Sequence, residues 1–306
     1  MKVRECPPEL FDRRLASVGV PLRCGPFVVS IASPLACVAA GLRFHYADFE
    51  LLDDPAASDF DVRVESPSLL RRVLRPQVSF TCDGRAPFKP LPVEQAFPML
   101  EWGLNWVISS HAHDHLVVHG AVLERDGRAL ILAADPGSGK STLCAALVHG
   151  GWRLLSDELA LVDLESGRIR PVARPISLKN ESIGVVRALG AGEAVGEVCA
   201  GTAKGAVAHM RPPHESVRRM DEAALPAWIV FPKFAAGRAL AVETVAPAHA
   251  FMELTRHAFN YALLGTVAFD ALAALVDHCR ILRAGYGHLD QVVPEIDRLA
   301  AAAVRR

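Results

Sequence analysis

The chain has 306 residues, of which 51% are hydrophobic and 22% charged, and 33 Lys and Arg stand against 34 Asp and Glu for a net charge of −1. This is enough apolar surface for a sizeable core in one large domain or two smaller ones, and it excludes a disordered chain, a collagen and a coiled coil. A near-neutral balance argues against duplex nucleic acid as the main partner, because counterion release calls for a basic surface; a local basic groove stays open.

The seven cysteines form no C-x-x-C pair, so neither a zinc ribbon nor a thioredoxin-type site is signalled. Their odd number and wide spacing predict free thiols in a reducing compartment. The first eight residues lack the apolar run of a signal peptide. The longest apolar stretch, 261–276, is interrupted by Asp270 and too short to cross a bilayer. The expectation is a cytoplasmic protein with no membrane partner.

Along the first ninety residues, short apolar pieces at 26–32 (PFVVSIA), 42–49 (LRFHYADF) and 77–82 (QVSFTC) are separated by Pro and Gly. They predict strands, and 68–74 predicts one short helix. The proline-rich stretch 87–98 predicts a linker. This divides the chain into a small β-rich N-terminal domain, 1–95, and a second domain, 96–306. In the second, Leu100, Leu104 and Val107 have helical spacing over 98–110. Strands follow at 115–123 and 129–133, and Asp126-Gly127 between them is a hairpin signal. A helix is expected over 140–149, closed by Gly150-Gly151. Next come a strand at 152–155 and a hairpin, 159–163 with 168–172, around Ser166-Gly167. The last sixty residues read as helices at 248–262, 264–282 and 289–304.

The most informative segment is Ala134-Asp135-Pro136-Gly137-Ser138-Gly139-Lys140-Ser141-Thr142. It fits the phosphate-loop pattern G-x-x-x-x-G-K-[ST] except that Ala134 stands at the first glycine. Gly137 and Gly139 let successive N–H groups turn inward around phosphate oxygens, and the helix that begins near Lys140 adds its positive end. Lys140 can reach the β- and γ-phosphates, and the Ser141 hydroxyl can ligate Mg²⁺. An apolar strand before and a helix after supply the context the motif requires. The pattern predicts a bound nucleoside triphosphate with Mg²⁺, with ATP as the expected nucleotide; it does not distinguish ATP from GTP, nor say whether the nucleotide is hydrolysed, used as a donor or only sensed.

Asp157 and Glu158 end an apolar strand seventeen residues after Lys140. If neighbouring parallel strands are joined by one helix, their C-terminal ends share an edge, and these carboxylates lie beside the loop. One can hold Mg²⁺ while the other accepts the proton of an attacking hydroxyl. Both can serve only if the strand has ended by Asp157, since strand neighbours point to opposite faces. His119 has two readings, a buried structural histidine or a member of the site into which its hairpin feeds. The run His111-Ala112-His113-Asp114-His115 reads as metal ligands or as a polar turn.

From Val118-His119-Gly120 to Glu158, about forty residues, the chain resembles the HPr kinase/phosphorylase family. The shared features are the His-Gly pair, the hairpin, the phosphate loop and the strand ending in acidic residues. It looks most like the HPr-kinase-related kinase A subgroup of bacterial biosynthetic clusters, and is similar to lasso-peptide serine kinases. The resemblance implies an α/β fold with a P-loop kinase core of the HPr kinase/phosphoenolpyruvate carboxykinase type. It implies that Asp157 acts as base or metal ligand, that His119 belongs to the site, and that Lys140 and Ser141 bind phosphate and Mg²⁺. It also implies a possible homo-oligomer. The family's paired aspartates are Asp-Glu here, and its downstream glutamate and glycine-rich signature is echoed only in Asn180-Glu181-Ser182-Ile183-Gly184.

Further residues have a functional reading beside a surface or packing one. Glu181 is a candidate metal or nucleotide contact, and Lys179 could face the substrate phosphate. A kinase needs a cation near the transferring phosphoryl group, and of Lys204 and Arg211 the candidate is Arg211. His257 and Asn260 have the spacing of a packed helix. Two functions follow. One is a kinase moving the γ-phosphoryl group of ATP to a hydroxyl, Ser of a peptide or small protein, with a small metabolite as the variant acceptor. The other is a nucleotide-dependent regulatory module that phosphorylates nothing.

Overall fold

The computed structural model describes residues 1–53 and 58–304. Among them sixteen strands form three sheets, a mixed α/β architecture. The N-terminal part holds α1 (Pro8–Ala16), β1 (Val20–Cys24), β2 (Phe27–Ala32), α2 (Ala36–His45), β3 (Phe60–Glu65), α3 (Leu69–Val73), β4 (Gln77–Cys82) and β5 (Leu91–Pro92). Its five strands pair in chain order, β2 to β3 in parallel and the rest antiparallel. Alternation drives the pairing. Phe60, Val62 and Val64 of β3 point inward, as do Val78, Phe80 and Cys82 of β4, while their neighbours are more exposed.

The strand expected over 42–49 is a correction. Val38, Ala39, Leu42 and His45 are buried at helical spacing, so α2 runs through that segment and ends in a turn around Tyr46. The stretch 87–98 also carries more structure than a linker. It contains β5 and the start of α4 (Ala96–His111), where Pro98 sits in the first turn and removes no helical hydrogen bond. Helix α4 buries Met99, Leu100, Leu104 and Val107. At Gly103 a Cβ would stand 2.2 Å from the Phe80 ring, so the missing side chain lets α4 close on β4.

The central sheet takes β6 (His115–Arg125), β7 (Arg128–Ala133), then after α5 (Lys140–His149) β8 (Arg153–Ser156), β9 (Leu159–Asp163) and β10 (Ile169–Arg170). A small sheet of β11 (Ile176–Lys179), β12 (Cys199–Thr202) and β13 (Gly205–Met210) follows, with α6 (Glu181–Val186) between its first two strands. After α7 (His214–Arg218) the chain returns to the central sheet through β14 (Leu225–Phe234) and β15 (Ala241–Thr244). Then come α8 (Pro247–His257), α9 (Tyr261–Leu264), α10 (Thr266–His278), β16 (Arg280–Tyr286) and α11 (Leu289–Val304). The order across the sheet is β10-β9-β6-β7-β14-β16-β15, and β8 also pairs with β6. None of the helices is long and apolar enough to cross a membrane among the described residues.

The sheet is covered on both faces by alternate residues of the same strands. Leu130, Leu132, Val230 and Leu282 join the core shared with α5, α11 and the N-terminal sheet. Ala129, Ile131, Ile229 and Ile281 face α8 and α10. Two of these strands lie outside the sequence expectations. β16 occupies what reads as the end of a helix over 264–282: Ile281, Leu282, Ala284, Gly285 and Tyr286 are all buried, so the strand is covered on both faces and shows no period 2. β14 carries Pro226 and Pro232. Pro226 lies at a register shift against β7 and before the pairing with β16 begins, and Pro232 lies beyond the last β7 pair. Each proline therefore sits where one ladder makes no demand on its nitrogen.

Candidate active site

The site is organised by β6. On one side Gly120 pairs with Ala133, the last residue of β7, and on the other Val122 pairs with Ser156, the last residue of β8. Because β6 is antiparallel to both, β7 and β8 run in the same direction and end at the same edge. They are not neighbours as the sequence suggested, since β6 lies between them, but the consequence for the edge is the same. Residue 120 must be small: a Cβ there would stand 2.8 Å from the Leu132 carbonyl oxygen.

From the end of β7 the loop 134–139 turns into α5. Gly137 and Gly139 have φ of +85° and +93°, the left-handed region that favours glycine. The end of the loop is held from the strands beside it and from the first turn of α5. The Phe234 amide donates to Ser138 O at 3.1 Å, the Leu143 amide to Gly139 O at 2.9 Å, and a Cβ on Gly139 would meet Tyr286 Oη at 2.7 Å. Asp135, Pro136 and Gly137 are exposed; Ser141 and Thr142 of the first helical turn are half-buried. Ser138 Oγ is buried with no hydrogen-bond partner. Lys140 is buried and its ammonium donates to the loop carbonyls of Ala134 and Asp135. Burial holds that ammonium below its ordinary pKa, and the nearby charges of Glu158 and Asp157 oppose the shift. Lys140 and both carboxylates therefore share one edge.

The bend after β8 satisfies the condition for two working carboxylates. The strand ends at Ser156, so Asp157 and Glu158 are free of strand alternation. Asp157 is only 4% exposed; its Oδ2 accepts the Ser177 amide at 2.9 Å, and its Oδ1 is buried with no partner. Burial, then the Glu158 charge, pushes its carboxyl up to about 7, while the Ser177 amide, Lys179 and the Ser141 hydroxyl pull it down. Glu158 Oε2 lies 3.5 Å from His119 Nδ1 and Oε1 3.7 Å from Lys179 Nζ. Its carbonyl also meets His119 Nδ1, at 3.2 Å. Burial holds the His119 imidazole below its ordinary pKa despite that carboxylate. The ring packs edge-on to Phe259, 5.8 Å between centroids.

The oxygen set suits a hard cation. Asp157 Oδ1 needs a partner, and Ser141 Oγ lies close enough to act on the same carboxylate. No group of three His, Cys, Asp or Glu side chains that could hold a metal occurs among the described residues, so a Mg²⁺ here would take the rest of its shell from phosphate and water.

Other candidates are sorted by the fold. Arg211 is not brought to the loop: its guanidinium lies 5.2 Å over the Phe44 ring of the N-terminal part. The cations on this edge are Lys140, Lys179 and, nearby, Lys204, whose ammonium sits 5.0 Å over the Trp102 ring. Glu181 is exposed in the first turn of α6 and makes no ion pair among the described residues. The run 111–115 is the turn from α4 into β6: His111 Nδ1 bonds the Val107 carbonyl at 2.9 Å and His115 is buried, so the metal-ligand reading fails. Asn260 is structural, bonding the Val117 amide and the His115 carbonyl at 3.0 and 2.8 Å. His257 does reach the site, with Nε2 3.8 Å from Asp135 Oδ1. Sequence reasoning misses Ser177, which acts through its backbone amide and leaves no side-chain signal, and Tyr286 and Phe234, which lie on the two unanticipated strands.

A family model described as "SynChlorMet cassette protein ScmC" matches residues 94–172, the span from the start of α4 past β10 that contains both the loop and the Asp157 bend. No curated protein matches. Among solved structures the chain is similar to the Hpr(Ser) kinase/phosphatase from Coxiella burnetii, at 11% identity over 61% of this chain and 98% of that one, with a TM-score of 0.25.

Proposed function

We propose that the protein is an ATP-dependent phosphotransferase that moves the γ-phosphoryl group to a hydroxyl, Ser of a peptide or small protein. The observation that carries this reading is the buried, unpartnered Oδ1 of Asp157 at the same sheet edge as the glycine loop. A structural carboxylate would be expected to satisfy both oxygens. A general base instead needs one oxygen free and a pKa near the working pH, and burial beside Glu158 brings Asp157 to about 7.

In this reading the amides of 135–140 and the start of α5 hold the β- and γ-phosphates. Lys140 leaves the loop carbonyls for the phosphate oxygens. Asp157 takes the acceptor's proton as the new O–P bond forms. The bond from the γ-phosphorus to the bridging oxygen breaks, and its electron pair leaves on the β-phosphate of ADP, where Lys140 meets the charge. Lys179 offsets charge on the transferring group, and Glu158 is held between Lys179 and His119, fixing both. Ser141 would hold Mg²⁺ together with phosphate and water, and the ion would supply Lewis-acid neutralisation of the phosphate oxygens.

The test is incubation of the purified chain with γ-labelled ATP, Mg²⁺ and serine-containing peptides encoded beside its gene. Transfer that is lost in Lys140→Ala and Asp157→Asn supports the reading. Label released or transferred equally by wild type and Lys140→Ala contradicts it. Nucleotide-dependent function that survives Asp157→Asn and fails in Lys140→Ala would favour a regulatory module.

A further inference from the structure

The connection from β3 to β4 carries an element that packs against nothing. Residues 67–76, α3 among them, are all exposed. Leu69, Leu70, Val73 and Leu74 are 84%, 63%, 79% and 62% exposed. At about 100° per residue, Leu69, Leu70 and Val73 share one face of α3, with Arg71 and Arg72 on its two flanks. Leu74 follows at the end of the helix, and Arg75 comes just after. No Asp or Glu occurs between Glu65 and Asp83, and the three arginines make no ion pair among the described residues. A short helix draws its stability from packing an apolar face, and contiguous apolar surface left exposed on a folded chain marks an interaction site.

A surface of complementary character lies elsewhere on the molecule. An open groove of about 630 Å³ runs between the β9–β10 hairpin and α10. Leu164, Leu225, Val267 and Ala271 give it apolar walls, and Leu225 and Val267 are each 49% exposed. Carboxylates stand on both rims. Glu165 on the hairpin and Asp270 on α10 are exposed and make no ion pair among the described residues. A third, Asp163, is already held by Arg170 at 3.4 Å, and His278 is tied to the Ala274 carbonyl at 2.7 Å. The volume is that of a ligand site, with room for several leucine-sized side chains. Helix α10 covers the opposite face of the central sheet from the N-terminal sheet that carries α3, so the two surfaces of one chain do not meet.

We propose that α3 of one copy of the chain docks in the α10 groove of a second copy. Leu69, Leu70 and Val73 enter between the hairpin and α10, and Arg71 and Arg72, one on each flank, reach the rim carboxylates Glu165 and Asp270. Apolar face meets apolar wall, cation meets carboxylate, and each surface lacks a partner in its own chain. A lipid surface would receive the same helix but would leave the acid-rimmed groove uncovered. The contact joins two different surfaces, so it is heterologous: each copy offers one helix and one groove, and assembly continues to a closed ring or an open chain. One short helix in one groove buries a small area, which places the contact among weak, concentration-dependent associations. It is independent of the phosphotransfer reading, because none of these residues belongs to the glycine loop or the acidic bend.

The experiment is sedimentation velocity on the full chain from micromolar to hundreds of micromolar. The wild type should grow in sedimentation coefficient with concentration. A helix variant, Arg71→Glu with Arg72→Glu, and a groove variant, Glu165→Lys with Asp270→Lys, should each associate at least about tenfold more weakly, since like charges then face each other. All four side chains are exposed, so both variants should keep the wild-type Tm. Mixing the two variants should give a 1:1 dimer and nothing larger, because the mixture holds only one intact helix and groove per pair. All four substitutions in one chain should restore association. A wild type that stays monomeric throughout, association that either variant leaves unchanged, or a mixture that stays monomeric overturns the proposal. So does a monomeric wild type that binds phosphatidylserine-containing vesicles through Arg71 and Arg72, which would make a lipid surface the occupant of α3. Calorimetry with magnesium–ATP separates this contact from the kinase reading: a monomer that binds nucleotide removes the contact alone, and an assembly that binds none removes the kinase alone.

Discussion

The Ser177 amide donates to Oδ2 of Asp157 at 2.9 Å, and this one bond fixes the carboxylate so that Oδ1 stays buried and free. Strand β11 thereby orients a group on the bend after β8, and its last residue, Lys179, reaches Glu158 on the same bend. The small sheet is the support of the acidic pair.

Asp157→Asn should slow phosphoryl transfer by about a hundredfold or more, the scale of a lost general base, and leave magnesium–ATP affinity within a few-fold. The asparagine carbonyl can still accept the Ser177 amide, so the fold is kept. Single-turnover rates beside calorimetry on the same preparation check both halves.

The same variant should change stability with a definite sign. The folded carboxyl has a pKa of about 7 against an ordinary aspartate value of 3.8. The folded state therefore binds the proton more tightly than the unfolded chain. Its contribution to stability is fully present below the unfolded value and is lost as pH rises through 7. Asp157→Asn removes that loss. Thermal melts should show the variant more stable than wild type at pH 8 and nearly equal at pH 4; a wild type that gains on the variant as pH rises contradicts the burial account.

Gly137 and Gly139 separate two costs. Both have positive φ, so alanine at either costs about 1–2 kcal/mol of backbone strain. At Gly137 nothing lies within 4 Å of a new Cβ, whereas at Gly139 it would meet Tyr286 Oη at 2.7 Å and Phe234 Cβ at 3.0 Å. Gly139→Ala should therefore lower the Tm more than Gly137→Ala and shift the end of the loop enough to abolish nucleotide affinity. Equal melting shifts would mean that the ends of β14 and β16 do not hold the loop.

The cation that serves the phosphoryl group is tested by comparing Lys179→Ala with Arg211→Ala. Removing Lys179 should cut the transfer rate at least tenfold, about the scale of one displaced charge contact. Arg211 lies over Phe44, so its loss should leave the rate within about twofold. The opposite order would restore the sequence-based choice.

That choice shows where the sequence is legible. The glycine loop, Lys140 and Asp157 stand out because backbone turns, an amine that can reach phosphate and a strand-end carboxylate call for those residue types at those spacings, whereas His119 stays open between packing and the site on residue type alone. The hairpin 115–133 and the helix over 289–304 follow from local turn chemistry and from period. The partner of Asp157 is a backbone amide brought in by tertiary structure, which no residue type encodes. Strand β14 hides behind two prolines tolerated only because of its register, and β16, interrupted by Arg283 and buried on both faces, shows no alternation. Arg211 looks like a site cation in the sequence because only the fold places its charge over an aromatic ring instead.

Magnesium–nucleotide binding is the most direct test of the central claim, measured by titration calorimetry with a non-hydrolysable ATP analogue on wild type and Lys140→Ala. The account predicts a saturable 1:1 heat that requires Mg²⁺ and is weakened at least a hundredfold by Lys140→Ala, about 2.7 kcal/mol of binding free energy. No binding at millimolar nucleotide, or equal binding by the two proteins, would contradict it.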